Sequence, residues 1–226
     1  MKWPTPDWYY TPAGYRFIKA TFNKPVGWAS RLRFKGAERV PTTGPVLLAV
    51  NHFTWADPVV LGVALKRPAF YLAKEALFRN KPMRWFLESM GQIKVERVAG
   101  SNDDALATAV GLLEKGLVVG VFPEGTRSRS GELKRGKTGI ARIAAMSGAP
   151  VVPVALATSE FWPKGSALPK LGRTVYVNIG APVKYDLKPE DADDREKMRA
   201  TTDDIMGRIK ALLDEATQAQ KRNEKW

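Results

Sequence analysis

The sequence predicts an α/β fold in which helices flank a mostly parallel central sheet. Three observations predict it: short apolar runs recur between residues 31 and 180, helix signals separate these runs, and the 226 residues are 44% hydrophobic, enough to bury a core. We expect residues 31–185 to form this α/β domain. A basic, aromatic segment for membrane association precedes it at residues 1–30, and an amphipathic helix that packs on the domain follows at residues 186–226.

Seven strands are predicted from continuous apolar runs, which suit a buried strand, or from alternation of apolar with charged residues. In chain order they cover residues 31–35, 46–50, 69–72, 93–95, 117–122, 151–156 and 175–179. Each strand is followed by turn residues or by a helix signal. This order favours parallel pairing, because a parallel strand needs a crossover connection, which is usually a helix.

Helix signals occupy the segments between the strands. Asp57 suits an N-cap and Pro58 the first helical position. Further helices are expected at 82–90, ending at Gly91; from Ser101 to Gly116; and at 140–147, closed by Gly148. In the C-terminal segment, apolar and small residues step by three or four, so one helical face can pack: Met198, Thr202, Ile205, Ile209, Leu212 and Ala216.

Composition excludes several kinds of chemistry. The chain contains no Cys and one His, which rules out disulfides, thiolate metal sites, a cysteine acyl-enzyme and a multi-histidine metal site within one chain. No metal site is therefore expected. Any imidazole chemistry depends on His52, for which the simpler interpretation is a structural histidine.

The net charge of +13 is concentrated in the front of the chain, where residues 1–100 carry +10 and the first 86 residues hold 16 of the 22 aromatic side chains. Such a distribution favours an anionic partner, either a membrane or a nucleic acid. Residues 13–30 mix rings and cations as interfacial segments do, although an ordinary core-packed helix has a similar pattern. No apolar run approaches the roughly 18 residues that span a bilayer, and no secretory signal is present.

Two polar loops follow predicted buried strands, at the edge where α/β sheets bind ligands. The first is 51–57, which contains His52 and Asp57. On one helix these residues would lie about 140° apart, so they meet only if the chain turns between them, as the helix start at Asp57 allows. A carboxylate on one imidazole nitrogen makes the other nitrogen a general base.

The second loop is 122–127. In it, Arg127 suits a phosphate or carboxylate, and Gly125 allows close approach of a ligand to the backbone. Glu124 is suited either to ordering Arg127 or to accepting a hydrogen bond from a substrate hydroxyl; the alternative is a Glu–Arg pair that only braces a turn.

These residues carry a resemblance to a known family. The pattern Asn-His-x-x-x-x-Asp at 51–57 and Phe-Pro-Glu-Gly-Thr-Arg at 122–127 resembles the paired motifs of the glycerolipid acyltransferases, in particular the 1-acylglycerol-3-phosphate acyltransferases. Two weaker blocks, GQIKVER at 91–97 and VPV at 152–154, agree in order and spacing. Four motifs in the right order are a far more specific signal than any one of them.

The resemblance implies transfer of a fatty acyl group from an acyl thioester to the sn-2 hydroxyl of 1-acylglycerol-3-phosphate, with His52 as base and Asp57 as its orienting partner. It also implies roles for three groups of residues, listed here: Arg127, Arg97 and Lys74 at the acceptor phosphate; Glu124, Gly125 and Thr126 in the substrate-binding loop; and Asn51 and Thr54 as positioning or oxyanion groups. The donor is acyl-CoA or acyl carrier protein, with no other cofactor.

The expected location is therefore the cytoplasmic face of a membrane, to which the chain binds peripherally and without a spanning helix. The expected partners are membrane lipids and the acyl donor, and no nucleic acid. Glycerol-3-phosphate or another polar lipid remains an alternative acceptor.

Two other functions remain as alternatives. One is a basic membrane- or nucleic-acid-binding module without catalysis, which only the charge supports. The other is a P-loop enzyme, because residues 131–138 match G-x-x-x-x-G-K-[ST] with Lys137 as the lysine. A true P-loop follows a buried strand directly, whereas residues 124–130 here are polar, and this context disfavours nucleotide hydrolysis.

Overall fold

The fold is seen in a computed structural model that describes residues 31–74, 78–81, 84, 87, 92–95, 103–128, 131–157 and 173–226. Its strands are β1 (Arg31–Lys35), β2 (Val46–Val50), β3 (Ala69–Lys74), β4 (Gln92–Val95), β5 (Val118–Val121), β6 (Val151–Ala157) and β7 (Thr174–Ile179). Its α-helices are α1 (Asp57–Ala64), α2 (Asp103–Glu114), α3 (Gly139–Ser147) and α4 (Arg195–Arg222). Two short 3₁₀ helices lie at Ala37–Arg39 and Pro189–Asp193.

The seven strands form one sheet in the order β1-β7-β6-β2-β5-β3-β4. Every neighbouring pair is parallel except β6 and β7, so β1 and β7 run opposite to the other five strands. The α/β fold with a mostly parallel sheet is confirmed. The central position of β2, between β5 and β6, explains why all five of its residues are apolar and fully buried.

The two faces of the sheet are covered by different helices. Leu47 and Ala49 of β2 pack in a cluster with side chains of α2, α3 and α4, whereas the alternate residues of β2 pack in a second cluster that includes Val60 and Leu61 of α1. The core therefore consists of two layers on one sheet. This arrangement places the carboxyl ends of β2 and β5 side by side at one edge of the sheet.

The start of α1 differs from the prediction. The N-cap is Ala56, and Asp57 is the first helical residue rather than the cap. Its carboxylate accepts from the backbone N–H groups of Phe53 and Thr54, which precede the helix. The carboxylate thus orders the loop that precedes α1.

The C-terminal helix begins at Arg195, after the 3₁₀ turn, and Asp194 caps it by accepting from Lys197 N–H at 2.9 Å. The predicted packing face is mostly correct. Leu212, which was predicted to lie on this face, is half-buried, and the next residue, Leu213, is buried instead. Ala216 and Ala219 pack against Tyr176 of β7 and Ala157 of β6. Small side chains at these two positions let the helix lie close to the sheet.

Several predictions lie outside the described residues: the segment 1–30, most of the helix at 82–90 with Gly91, Ser101 and Arg97. Where residues are described, none of the helices is both long enough and apolar enough to cross a membrane.

Candidate active site

The site lies where β2 and β5 end side by side. The register pairs Ala49 with Val121, so the loop that follows each strand leaves the same edge of the sheet at the same level. The two loops are joined directly, because the backbone N–H of His52 donates to Glu124 Oε1 at 2.8 Å and the carbonyl of His52 accepts from Ser128 N–H at 2.7 Å. The sequence motifs at 51–57 and 122–127 therefore form one site.

His52 and Asp57 are in contact. His52 Nδ1 lies 2.9 Å from Asp57 Oδ2, which also accepts from the backbone N–H groups of Phe53 at 2.8 Å and Thr54 at 2.9 Å. The second oxygen, Oδ1, accepts from the Thr54 hydroxyl at 2.8 Å. The carboxylate thus receives four donors, and a tight turn brings together two residues that a continuous helix would separate.

This arrangement selects one tautomer of the neutral imidazole. Because a carboxylate acts as an acceptor, Nδ1 of the neutral ring carries the hydrogen and Nε2 presents its lone pair. The Asp57 side chain is fully buried, whereas that of His52 is 19% exposed, so the imidazole links a buried carboxylate to the open edge of the sheet. A base oriented in this way can take a proton from an alcohol.

An aromatic stack supports the other side of the imidazole. The His52 ring lies 4.0 Å from that of Phe122, with 22° between the planes, and Phe122 in turn stacks on Tyr71 at 5.7 Å. The Tyr71 ring lies directly above Gly120, where a Cβ would come within 2.1 Å of Tyr71 Cε1. Gly120 therefore makes room for the stack. Phe122 belongs to the motif at 122–127, but its sequence position alone predicted no role for it.

Asn51 is fully buried and extends the pairing of β2 with β6. Its Oδ1 accepts from Leu156 N–H at 2.7 Å, and its Nδ2 donates to the Leu156 carbonyl at 3.0 Å. Thr54 is also buried, and its hydroxyl bonds to Asp57 and accepts from Ala56 N–H at 3.2 Å. Of the two roles predicted for these residues, the structure favours positioning.

Glu124 is buried as well. Its described contacts differ from the predicted ones, which were with Arg127 or with a substrate hydroxyl. One oxygen accepts from the backbone N–H of His52 and the other from that of Lys134 at 3.0 Å. Burial raises the pKa of Glu124, and these backbone hydrogen bonds partly oppose that shift. Glu124 therefore braces three loop segments, and no ion pair joins it to Arg127 in the part of the chain that the structure describes.

Thr126 and Arg127 are exposed, and among described residues the Arg127 guanidinium has no hydrogen-bond or ion-pair partner. Gly125 has φ +68°, a conformation that suits glycine. The backbone of Lys74 ends β3, paired with Val95, so it reaches the same edge of the sheet. Arg97 lies outside the described residues.

The segment that matches the P-loop pattern does not follow a strand. Strand β5 ends at Val121, ten positions before Gly131, and Lys137 N–H donates to the Pro123 carbonyl at 2.8 Å. The segment is part of the loop between β5 and α3, so the structural context that a P-loop needs is absent there.

Comparison with known proteins identifies the family. The model of the acyltransferase family matches residues 31–157, just over half of the chain. The chain belongs to the acyltransferase family. It is 30% identical over 200 residues to the 1-acyl-sn-glycerol-3-phosphate acyltransferase of Bacillus subtilis (strain 168), which covers 88% of this chain and 96% of that relative. The enzyme is thus an O-acyltransferase.

Two further similarities agree with this family assignment. The enzyme is 32% identical over 146 residues to the 1-acyl-sn-glycerol-3-phosphate acyltransferase of Borreliella burgdorferi, with 64% of this chain and 58% of that relative covered. The crystal structure of the 1-acyl-sn-glycerophosphate (LPA) acyltransferase PlsC from Thermotoga maritima superimposes with a TM-score of 0.70 and 26% identity. The match covers 88% of this chain and 79% of that one. The fold is therefore shared over most of both chains.

Proposed function

We propose that the enzyme transfers a fatty acyl group from an acyl thioester to the sn-2 hydroxyl of 1-acylglycerol-3-phosphate, which gives phosphatidic acid. The observation that carries this proposal is the His52–Asp57 pair, because Asp57 is held by three donors besides the imidazole and the imidazole reaches the open edge of the sheet. The activity named for the relatives supports the choice of substrate.

The reaction requires one proton transfer in each direction. Nε2 of His52 takes the proton of the acceptor hydroxyl as its oxygen attacks the thioester carbonyl, and Asp57 stabilises the resulting imidazolium. Collapse of the tetrahedral intermediate breaks the C–S bond, and the imidazolium returns the proton to the thiolate. The chain contains no Cys, which excludes a thiol-linked acyl-enzyme. The substrate hydroxyl therefore attacks the thioester directly.

The acceptor phosphate would bind at the exposed end of the second loop. Arg127 offers a guanidinium fork for two phosphate oxygens, and Gly125 and Thr126 lie beside it in the loop. Lys74 and Arg97 are the further basic residues that we assign to this phosphate. Asn51, Thr54 and Glu124 hold the loops in place rather than contacting substrate.

The thioester donor is acyl-CoA or acyl carrier protein, both of which are anionic and compatible with a net charge of +13. No other cofactor is needed for acyl transfer. Glycerol-3-phosphate or another polar lipid is the alternative acceptor, because the same base would serve any hydroxyl presented beside the phosphate.

The lipid acceptor and product require contact with a bilayer. We propose that the enzyme binds peripherally to the cytoplasmic face of a membrane, with the basic and aromatic residues 1–30 as its anchor. Trp55 supports a membrane-facing site, since 45% of it is exposed in the loop that connects His52 to Asp57.

The test is an assay of purified protein with lysophosphatidate and labelled acyl-CoA, comparing the wild type with His52→Ala. Loss of the general base should lower turnover by about 10²–10⁴-fold while the unfolding midpoint stays near that of the wild type. Full activity of His52→Ala would overturn the mechanism. Absence of acyl transfer by the wild type to every phosphate-bearing acceptor would overturn the proposed substrate class.

A further inference from the structure

The lysine of the P-loop-like segment lies at the acyltransferase site. Lys137 follows the 122–127 motif by ten residues, in the same loop, and its side chain passes directly over Gly125: a Cβ on Gly125 would lie 2.9 Å from Lys137 Cε and 3.0 Å from Nζ. The backbone is fixed in this position by the bond from Lys137 N–H to the Pro123 carbonyl, at 2.8 Å. We propose that Lys137 binds a substrate phosphate together with Arg127, an inference that rests on the proposed function.

The charges around Lys137 are not balanced within the protein. Among described residues, neither the Lys137 ammonium nor the Arg127 guanidinium has a hydrogen-bond or ion-pair partner, and both residues are exposed. The Glu124 carboxylate, in the same loop, is buried and accepts from the backbone N–H groups of His52 and Lys134. The exposed part of the loop therefore carries two cations, Arg127 and Lys137, for which the described residues supply no ion-pair partner.

A phosphate monoester fits this pair. Such a group carries a charge of about −1.5 to −2 near neutral pH and offers three oxygens, so it can accept from a guanidinium and an ammonium at once. Arginine supplies a planar fork and lysine a point charge, which suits two cations that approach one tetrahedral group from different directions. The ligand class is therefore a phosphate ester, carried by the lipid acceptor or by the acyl donor.

Gly125 allows the Lys137 side chain to approach the backbone of the 122–127 loop closely. Its positive φ and lack of a side chain let Lys137 lie flat across the loop, with its ammonium next to the backbone that leads to Arg127. A larger residue would displace the end of Lys137. This gives Gly125 a second purpose besides the turn.

The experiment compares Lys137→Gln with the wild type, with Lys137→Arg, and with Lys66→Gln as a matched control. Lys66 is also exposed, but it lies just before β3, at the opposite edge of the sheet. Acceptors with and without a phosphate, lysophosphatidate and monoacylglycerol, are paired with donors with and without phosphates, acyl-CoA and an acyl N-acetylcysteamine thioester. Loss of one charged hydrogen bond should lower kcat/KM by about 10- to 100-fold for the phosphate-bearing substrate.

If Lys137→Gln lowers kcat/KM only when the acceptor carries a phosphate, Lys137 contacts the lipid phosphate. If kcat/KM falls only when the donor carries phosphates, Lys137 contacts a donor phosphate. Either result supports the proposal. We expect Lys137→Arg to keep most of the activity and Lys66→Gln to keep all of it. Equal effects of Lys137→Gln on all four substrate combinations, or no effect on any, would overturn the proposal.

Calorimetric binding of lysophosphatidate and of acyl-CoA to the same variants separates this inference from the proposed function, because binding needs no turnover. Weaker binding of one of these ligands to Lys137→Gln is expected. Unchanged affinities for both would contradict a phosphate contact, whether or not the wild type transfers acyl groups.

Discussion

At the scale of single residues, the arrangement that matters most is the set of donors around Asp57. Its two oxygens accept from two backbone amides, one hydroxyl and one imidazole. A buried carboxylate with this many donors is held in one orientation, and it holds His52 in turn. Among the described residues, Thr54 and His52 are the side chains that donate to Asp57. Substitution of Thr54 therefore removes one of these hydrogen bonds while the carboxylate itself stays in place.

Replacement of Thr54 by Val should lower both stability and activity. The variant removes the donor to Asp57 Oδ1 and the acceptor of Ala56 N–H, which should cost about 1–2 kcal/mol of unfolding free energy and reduce kcat/KM about tenfold. Denaturant unfolding and steady-state kinetics measure the two effects. Thr54→Ser keeps the hydroxyl and should restore most of both; a Val variant equal to the wild type would show that this hydroxyl does not matter.

The aromatic stack gives a second prediction for single residues. In Gly120→Ala, the new Cβ would lie 2.1 Å from Tyr71 Cε1, so the Tyr71 ring must move and Phe122 loses support below His52. We expect a loss of about 1–3 kcal/mol in stability and a clear fall in kcat.

A matched control is available for this substitution. Gly207 lies in α4 with nothing within 4 Å of its Cβ position, so Gly207→Ala should be neutral or stabilising by up to about 1 kcal/mol. Equal behaviour of the two variants, in thermal unfolding and in turnover, would argue against the stack.

At the scale of elements, the site depends on how loops are tied together after their strands end. Glu124 joins the loop after β2 to the loop before α3, through backbone N–H groups of His52 and Lys134. Asn51 ties the end of β2 to β6 in a comparable way. Two buried polar side chains thus continue the pairing of the sheet beyond the strands.

The Glu124 brace predicts a specific pH dependence. Burial raises the pKa of Glu124 in the folded protein above its unfolded value, so between those two values the folded state binds more protons. The contribution of this carboxyl to stability is therefore largest at low pH and falls as pH rises through the folded pKa.

The measurement compares wild type with Glu124→Gln, which does not titrate, by denaturant unfolding from pH 4 to pH 8. The free energy of unfolding of the wild type relative to the variant should decrease with rising pH. A difference that is constant or that increases over this range would contradict the assigned shift.

At the scale of the whole molecule, charge and aromatic side chains are unevenly distributed. Residues 1–100 carry +10 of the net +13, and residues 186–226 carry −2. Two exposed residues of the candidate site, Arg127 and Trp55, add a cation and a ring at one edge of the sheet. Such a distribution favours an orientation in which the site faces an anionic surface.

Sedimentation with vesicles tests whether the enzyme binds such an anionic surface. The enzyme should co-sediment with vesicles that contain anionic lipid, less so at high salt because exposed charges are screened, and less so when residues 1–30 are deleted. Zwitterionic vesicles at equal lipid concentration are the control. Binding that is indifferent to salt, lipid charge and deletion would exclude a basic, aromatic anchor.

Much of the fold follows from local pattern. The continuous apolar runs of β2 and β6 correctly predict central strands, and the glycine at 148 correctly predicts the end of α3, because burial and backbone conformation impose these residue types locally. The prediction for the start of α1 was less accurate. Asp57 was expected to be the N-cap, but its carboxylate accepts from backbone amides that precede the helix. The sequence pattern alone does not show which backbone N–H groups will donate to a carboxylate.

The amino-acid order alone was enough to predict an α/β sheet, two polar loops at the ends of buried strands and a His52–Asp57 contact made by a turn, because strand period, helix signals and motif spacing are all local properties of the chain. Only the tertiary structure assigned Glu124 to backbone amides, placed Phe122 against His52 and laid Lys137 across Gly125. The contacts of His52 with Glu124 and Phe122 join segments that are distant in sequence, and they arise because the parallel strands of one sheet end at a common edge, whereas Lys137 meets Gly125 through the path of a single loop. Their geometry therefore depends on strand order and register, which no local pattern specifies.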